Sequence, residues 1–144
     1  MSKELTFVSI DKRHRINQFS FEGSSEIDTF WGCSIPMDVV YKWVNSNGFV
    51  RWWKERWENV YNPTIHQPVQ KGDRIYYEMT LLHIYELRQS MLSRLFLWDS
   101  DDTLYQKEHE PDYMEELYKT FLEPLNHCEA MIYGGKTVYV CFDY

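Results

Sequence analysis

The chain has no run of about 18 uncharged apolar residues, the length a membrane-spanning helix needs. Its most apolar stretch, Leu81 to Trp98, is broken by Glu86, Arg88 and Arg94. A transmembrane role is therefore not expected. No leader is expected either, because Met1-Ser2-Lys3-Glu4 runs directly into Leu5-Thr6-Phe7-Val8 with no apolar signal core or cleavage site. Cysteine is scarce and odd in number, at three, which argues against a disulfide framework and fits free thiols in a reducing cytoplasm. Neither Cys-x-x-Cys nor His-Glu-x-x-His spacing occurs among the cysteines and the five histidines, so no metal and no cofactor is expected. Repeats, low-complexity tracts and interdomain linkers are absent from the sequence, and 144 residues fit one globular domain spanning 1–144.

Net charge is missing from most of the chain as well. The formal net charge is −7, and all of it falls between Asp99 and Glu123, where nine carboxylates face only Lys107 and Lys119. The remaining residues balance. The chain thus reads as a neutral, aromatic-rich globule that carries one acidic patch. A concentrated field steers partners, whereas diffuse charge mainly keeps a protein soluble. Aromatics make up 17% of residues, enough area for a single core.

Alternation of Leu5, Phe7 and Ser9 with Thr6, Val8 and Ile10, then Ile16, Phe19 and Phe21 beyond a polar turn at Lys12-Arg13-His14-Arg15, predicts a β-hairpin over 4–22. Ser34-Ile35-Pro36 has the form of a helix start, with Val39, Val40, Trp43 and Val44 at helical spacing and Asn47-Gly48 as a stop. A second helix is expected from Phe49 to about Val60, with an apolar stripe of Phe49, Trp53, Trp57 and Val60, ended by Asn62-Pro63. Residues 62–72 read as loop. The pattern from Ile75 to Trp98 is helical, although residues 75–80 are rich enough in β-formers to be a strand. Pro111 opens another helix that Pro124 stops. Gly134-Gly135 then serves as the turn of a C-terminal hairpin ending in the strand Thr137 to Phe142. In that register Cys128 faces Cys141, so two small space-filling thiols or a redox pair are the readings. The expected class is α+β: an antiparallel sheet from the N- and C-terminal hairpins, with three to four helices packed on one face.

Phe96-Leu97-Trp98-Asp99-Ser100-Asp101-Asp102-Thr103 resembles the nucleophile loop of the haloacid-dehalogenase-type phosphatases. The resemblance would make Asp99 a phosphoryl acceptor and Asp101 a general acid. It covers about ten residues, and too few follow Asp102 to build the doubly wound domain that such a loop opens. The segment reads instead as a solvated loop, so the reading leans away from an enzyme and leaves the question open. The Trp-rich segment FVRWWKERWENVY mixes bases and aromatics as single-strand binders do. Its aromatics fall on one stripe, however, and direct nucleic-acid binding is not expected at this net charge.

The leading functional expectation is a small cytoplasmic interaction protein. It would bind a basic partner protein through residues 99–123, as an inhibitor or nucleic-acid mimic. Asp99, Asp101, Asp102, Glu108, Glu110, Asp112, Glu115 and Glu116 supply charge, and Tyr105 and Tyr113 supply contact area. The alternatives are a small-molecule-binding or enzymatic α+β domain with an aromatic-lined pocket, and a homo-oligomeric assembly subunit.

Overall fold

A computed structural model describes residues 4–11, 37–44, 46–60, 68–71 and 73–143. Among the described residues five strands form one antiparallel sheet: β1 (Glu4–Asp11), β2 (Met37–Val44), β3 (Val69–Lys71), β4 (Arg74–Met79) and β5 (Lys136–Asp143). Their order is β2-β1-β5-β4-β3. The first and last described strands are thus neighbours at the centre, and the class is α+β, with strands from the N- and C-terminal parts of the chain side by side in the sheet.

Both edges of β1 are occupied, since Phe7 pairs with Tyr41 of β2 and with Val140 of β5. Residues 16–22, expected to form the second arm of an N-terminal hairpin, lie outside the described residues. The first described partner of β1 is instead β2, in the stretch whose spacing suggested a helix. β-branched Val39, Val40 and Val44 with Tyr41 and Trp43 suit a pleated surface better than a helix. Tyr41 and Trp43 lie opposite Phe7 and Leu5, and the Trp43 ring meets the Phe7 ring edge-on at 4.7 Å. The register slips by one residue between Phe7 and Val8, a β-bulge that leaves Val40 without an opposite residue on β1.

The helices among the described residues are α1 (Asn47–Val60), α2 (Leu81–Leu92), α3 (Tyr113–Leu117) and α4 (Glu123–Tyr133), with a π-helical segment, Tyr118–Leu122, joining α3 to α4. Helix α1 buries Phe49, Trp53 and Trp57, one turn apart, as its stripe predicts. Asn47-Gly48 opens this helix rather than closing one. The Ile75–Trp98 stretch divides at Thr80: its β-rich beginning is β4, Leu81–Leu92 is α2, and residues 93–98, expected to continue the helix, are turn and irregular backbone. Thr80 caps α2 by accepting the His83 N–H, while His83 Nδ1 accepts the Thr80 N–H at 3.0 Å.

Pro124 does not stop a helix. The π turn carries the chain through it, with the Glu123 N–H reaching the Tyr118 carbonyl five residues back. The wider turn makes room for the pyrrolidine ring where an α turn would meet it with a carbonyl. Residues 123–133 are therefore helix, where a hairpin arm was expected. Leu117, Phe121, Leu125, Cys128 and Ile132 form one helical stripe against the core. Gly134-Gly135 is the turn into β5, and Gly135 takes φ +91°, which a side chain would resist.

One apolar cluster joins all four helices to Leu5 and Phe7 of β1, Ile75 and Met79 of β4, and Val138, Val140 and Phe142 of β5. These strand residues share one face of the sheet. The opposite face is buried too at Thr6, Val8, Ile10, Tyr76, Tyr139 and Cys141. Strand β5 therefore reads as a nearly continuous apolar run, because both its faces are inside. Cys128 belongs to the helix side and Cys141 to the far face, where its thiol meets the Tyr76 hydroxyl. The hairpin register that opposed these cysteines does not exist, and the two are free thiols.

Candidate functional site

From Asp99 to Tyr113 the acidic segment is a chain of tight turns, exposed at most positions but not at Asp102, Leu104 or Tyr113. Backbone bonds close successive turns from Asp99–Asp102 through Asp102–Tyr105, Leu104–Lys107 and Lys107–Glu110 to Glu110–Tyr113. Phe96, Trp98, Leu104 and Tyr113 anchor it in the core.

Its centre is Asp102, 5% exposed. Oδ1 accepts the Asn47 N–H at 2.8 Å, and Oδ2 accepts the Gly48 N–H at 2.9 Å and the Asp99 N–H at 2.8 Å. The first turn of a helix has backbone donors with no partner inside the helix. Here a carboxylate from the other half of the chain satisfies two of them at the positive end of α1. Burial pushes the Asp102 carboxyl up from its usual range, and the N–H donors from Asp99, Gly48 and Asn47 pull against that. Gly48 is required by this closeness. A Cβ there would stand 2.6 Å from Asp102 Oδ2 and 2.8 Å from the Leu97 carbonyl oxygen.

The same junction carries Arg51, which forms an ion pair with Asp99 and donates from Nη2 to the Leu97 carbonyl at 2.6 Å. Farther along, Arg94 lies 5.0 Å from the centre of the Tyr113 ring and donates to the Glu108 carbonyl. Arg94 has φ +59°, at the position after α2 where glycine is usual. Tyr113 is buried, and its hydroxyl accepts the Trp98 Nε1–H at 3.1 Å.

The ten residues expected to meet a partner thus divide into two groups. Asp102 and Tyr113 are inside and hold the segment together, and Asp99 is tied to Arg51. Asp112 pairs with Lys107 at 3.2 Å, and Glu115 pairs with Lys119 at 3.0 Å. Asp101, Tyr105, Glu110 and Glu115 are exposed, and Glu108, Asp112 and Glu116 are half-buried. The large apolar side chains Tyr105, Met114 and Tyr118 stand exposed among them. Sequence reasoning missed Asn47, Gly48 and Arg51, which lie about fifty positions away from the carboxylates they meet.

An open depression of about 410 Å³ lies over α1, lined by Asn47, Val50, Arg51, Lys54, Glu55 and Asp99, with no aromatic wall. Trp52, Trp53, Trp57 and Trp98 are in the core. Among the described residues no group of three or more His, Cys, Asp or Glu is placed to hold a metal ion, and no helix is long and apolar enough to cross a membrane. Asp99 and Asp101 do not stand at the end of a parallel strand, because every strand pair described is antiparallel. Comparison with protein-family models, curated proteins and solved structures finds no match.

Proposed function

We propose that this chain is an interaction protein that binds a basic partner protein through the outward side of the 99–123 segment. The observation that carries the reading is the combination of segregated charge with a pinned backbone. Asp101, Glu108 and Glu110 project from turns that Asp102, Arg51 and Arg94 hold, and Glu115 and Glu116 from helix α3 that follows them. A prearranged surface loses little conformational freedom on binding, so more of its charge attraction survives as affinity. Tyr105, Met114 and Tyr118 supply apolar contact area within it. An inhibitor that offers carboxylates where a nucleic-acid-handling protein expects phosphates suits this surface.

The test compares wild type with the quadruple variant Asp101→Lys, Glu108→Lys, Glu110→Lys and Glu116→Lys as bait in a lysate, with elution by a salt step and identification by mass spectrometry. These four side chains lie outside the Asp102 junction, so the variant keeps the near-ultraviolet circular dichroism of the core. A basic protein held by wild type alone, and released at roughly 0.3–0.5 M salt where charge attraction is screened, supports the reading. Equal recovery by a folded variant, or no basic protein with wild type, overturns it.

A further inference from the structure

Asn47-Gly48 does more than begin α1. An asparagine followed by glycine is the dipeptide in which backbone cyclisation meets least steric resistance. The Gly48 amide nitrogen attacks Asn47 Cγ and forms the N–Cγ bond of a succinimide. The Cγ–Nδ2 bond breaks, and Nδ2 leaves as ammonia with the proton that Gly48 gives up. Water then opens the ring at either carbonyl, which leaves aspartate or, with the backbone rerouted through Cβ, isoaspartate. The reaction needs a Gly48 nitrogen able to lose its proton and free to turn toward Cγ.

Both conditions are blocked here. The Gly48 N–H is bonded to Asp102 Oδ2 at 2.9 Å, in a buried contact. A carboxylate beside that nitrogen opposes its deprotonation. Asn47 itself is held by its own N–H on Asp102 Oδ1 at 2.8 Å, in the helical conformation that α1 imposes. Leu97 and Trp98 crowd Gly48 as well, with the Leu97 carbonyl oxygen 2.8 Å and the Trp98 Cα 3.2 Å from where a Cβ would stand. The Asn47 side chain, by contrast, is half-buried on the wall of the open depression, within reach of the water the second step consumes.

We propose that Asn47-Gly48 is a latent deamidation site that Asp102 holds closed, and that release of the acidic segment from α1 opens it in one direction only. The direction follows from charge and length. Either product places a new carboxylate at position 47, against the one that must close over it, and like charges at that distance disfavour closure. Isoaspartate also adds a methylene to the main chain in the first turn of α1, moving the Gly48 N–H off Asp102. An event that lifts the segment once therefore leaves a lasting chemical mark, and the segment stays released.

The charge-assisted bond on the Gly48 N–H sets the expected suppression at roughly 10- to 100-fold. The experiment incubates the full chain at neutral pH and physiological temperature, then follows the tryptic peptide Trp43–Arg51 by tandem mass spectrometry. That peptide also holds Asn45, an internal reference. Asp102→Ala and Asp102→Asn are compared with wild type, each checked for retained near-ultraviolet circular dichroism, and guanidinium-unfolded wild type gives the upper rate. Supporting results are slow conversion of Asn47 in native wild type and faster conversion by at least the lower of those factors in a folded variant, with isoaspartate present. A folded variant no faster than wild type, or native wild type converting at the unfolded rate, overturns the proposal. Should neither variant fold, amide exchange of wild type decides. Gly48 and Asp99, both bound to Oδ2, exchange in step if the clamp governs opening, and a freely exchanging Gly48 overturns it.

Discussion

The Asp102 carboxylate accepts the Gly48 N–H at 2.9 Å across 54 positions of sequence, so a residue that reads as surface charge is the cap of a distant helix. Its role inverts the usual expectation at both ends of the contact.

At the glycine end, Gly→Ala inside a helix ordinarily gains up to about 1 kcal/mol. Gly48→Ala is expected to lose about 2 kcal/mol instead, because the added Cβ meets the Leu97 carbonyl, which is backbone and gives way poorly. Asp102→Ala is expected to cost about 3 kcal/mol, since it strands buried N–H groups of α1. Urea midpoints measure both, and a stabilised Gly48→Ala contradicts the geometry.

His83 sets a pH dependence. It is fully buried, its Nδ1 accepts the Thr80 N–H, and Nε2 is 3.3 Å from the Trp57 carbonyl. Desolvation lowers its pKa from 6.5 to about 4, and the bond to Trp57 acts weakly the other way. The folded state therefore keeps the ring neutral where the unfolded chain protonates it. This stability is fully present above pH 6.5 and is lost as pH falls toward 4. The loss amounts to roughly 3 kcal/mol over that window. Urea unfolding between those limits should show the slope in wild type and a reduced slope in His83→Gln.

Both described cysteines should resist thiol reagents. Burial pushes Cys128 up to about 12 and Cys141 up to about 11, so thiolate is scarce at neutral pH. In a Cys33→Ser background, native protein should titrate no thiol promptly with a disulfide reagent and two after unfolding. Rapid native labelling would place one of them at the surface.

Arg94 trades backbone strain for contacts to Tyr113 and Glu108. Removing the side chain separates the two effects. Arg94→Gly should be about 1 kcal/mol more stable than Arg94→Ala, because glycine alone accepts a positive φ without cost. Thermal unfolding of the pair measures the difference, and alanine equal to glycine would mean that the turn relaxes.

The sequence by itself determined whatever depends on local spacing. The Phe49, Trp53 and Trp57 stripe defined α1, the Thr137–Phe142 run defined β5, and the Asp99–Glu123 charge count located the acidic segment. Tertiary structure decided the elements whose local signals were ambiguous or misleading. Met37–Val44 has helical spacing and β-favouring residues at once, and pairing with β1 settled it. Pro124 is a helix breaker by composition, and only the preceding π turn lets the chain pass. A hydrophobic stripe from Leu117 through Phe121 and Leu125 to Cys128 was present in the sequence, but Gly134-Gly135 is an equally good hairpin signal, and packing chose between them. The division of the acidic residues into outward and inward sets had no sequence signature. Asp101 and Asp102 are adjacent and chemically identical. One is exposed and the other buried because the unbonded donors of α1 arrive at one of them from the opposite half of the chain.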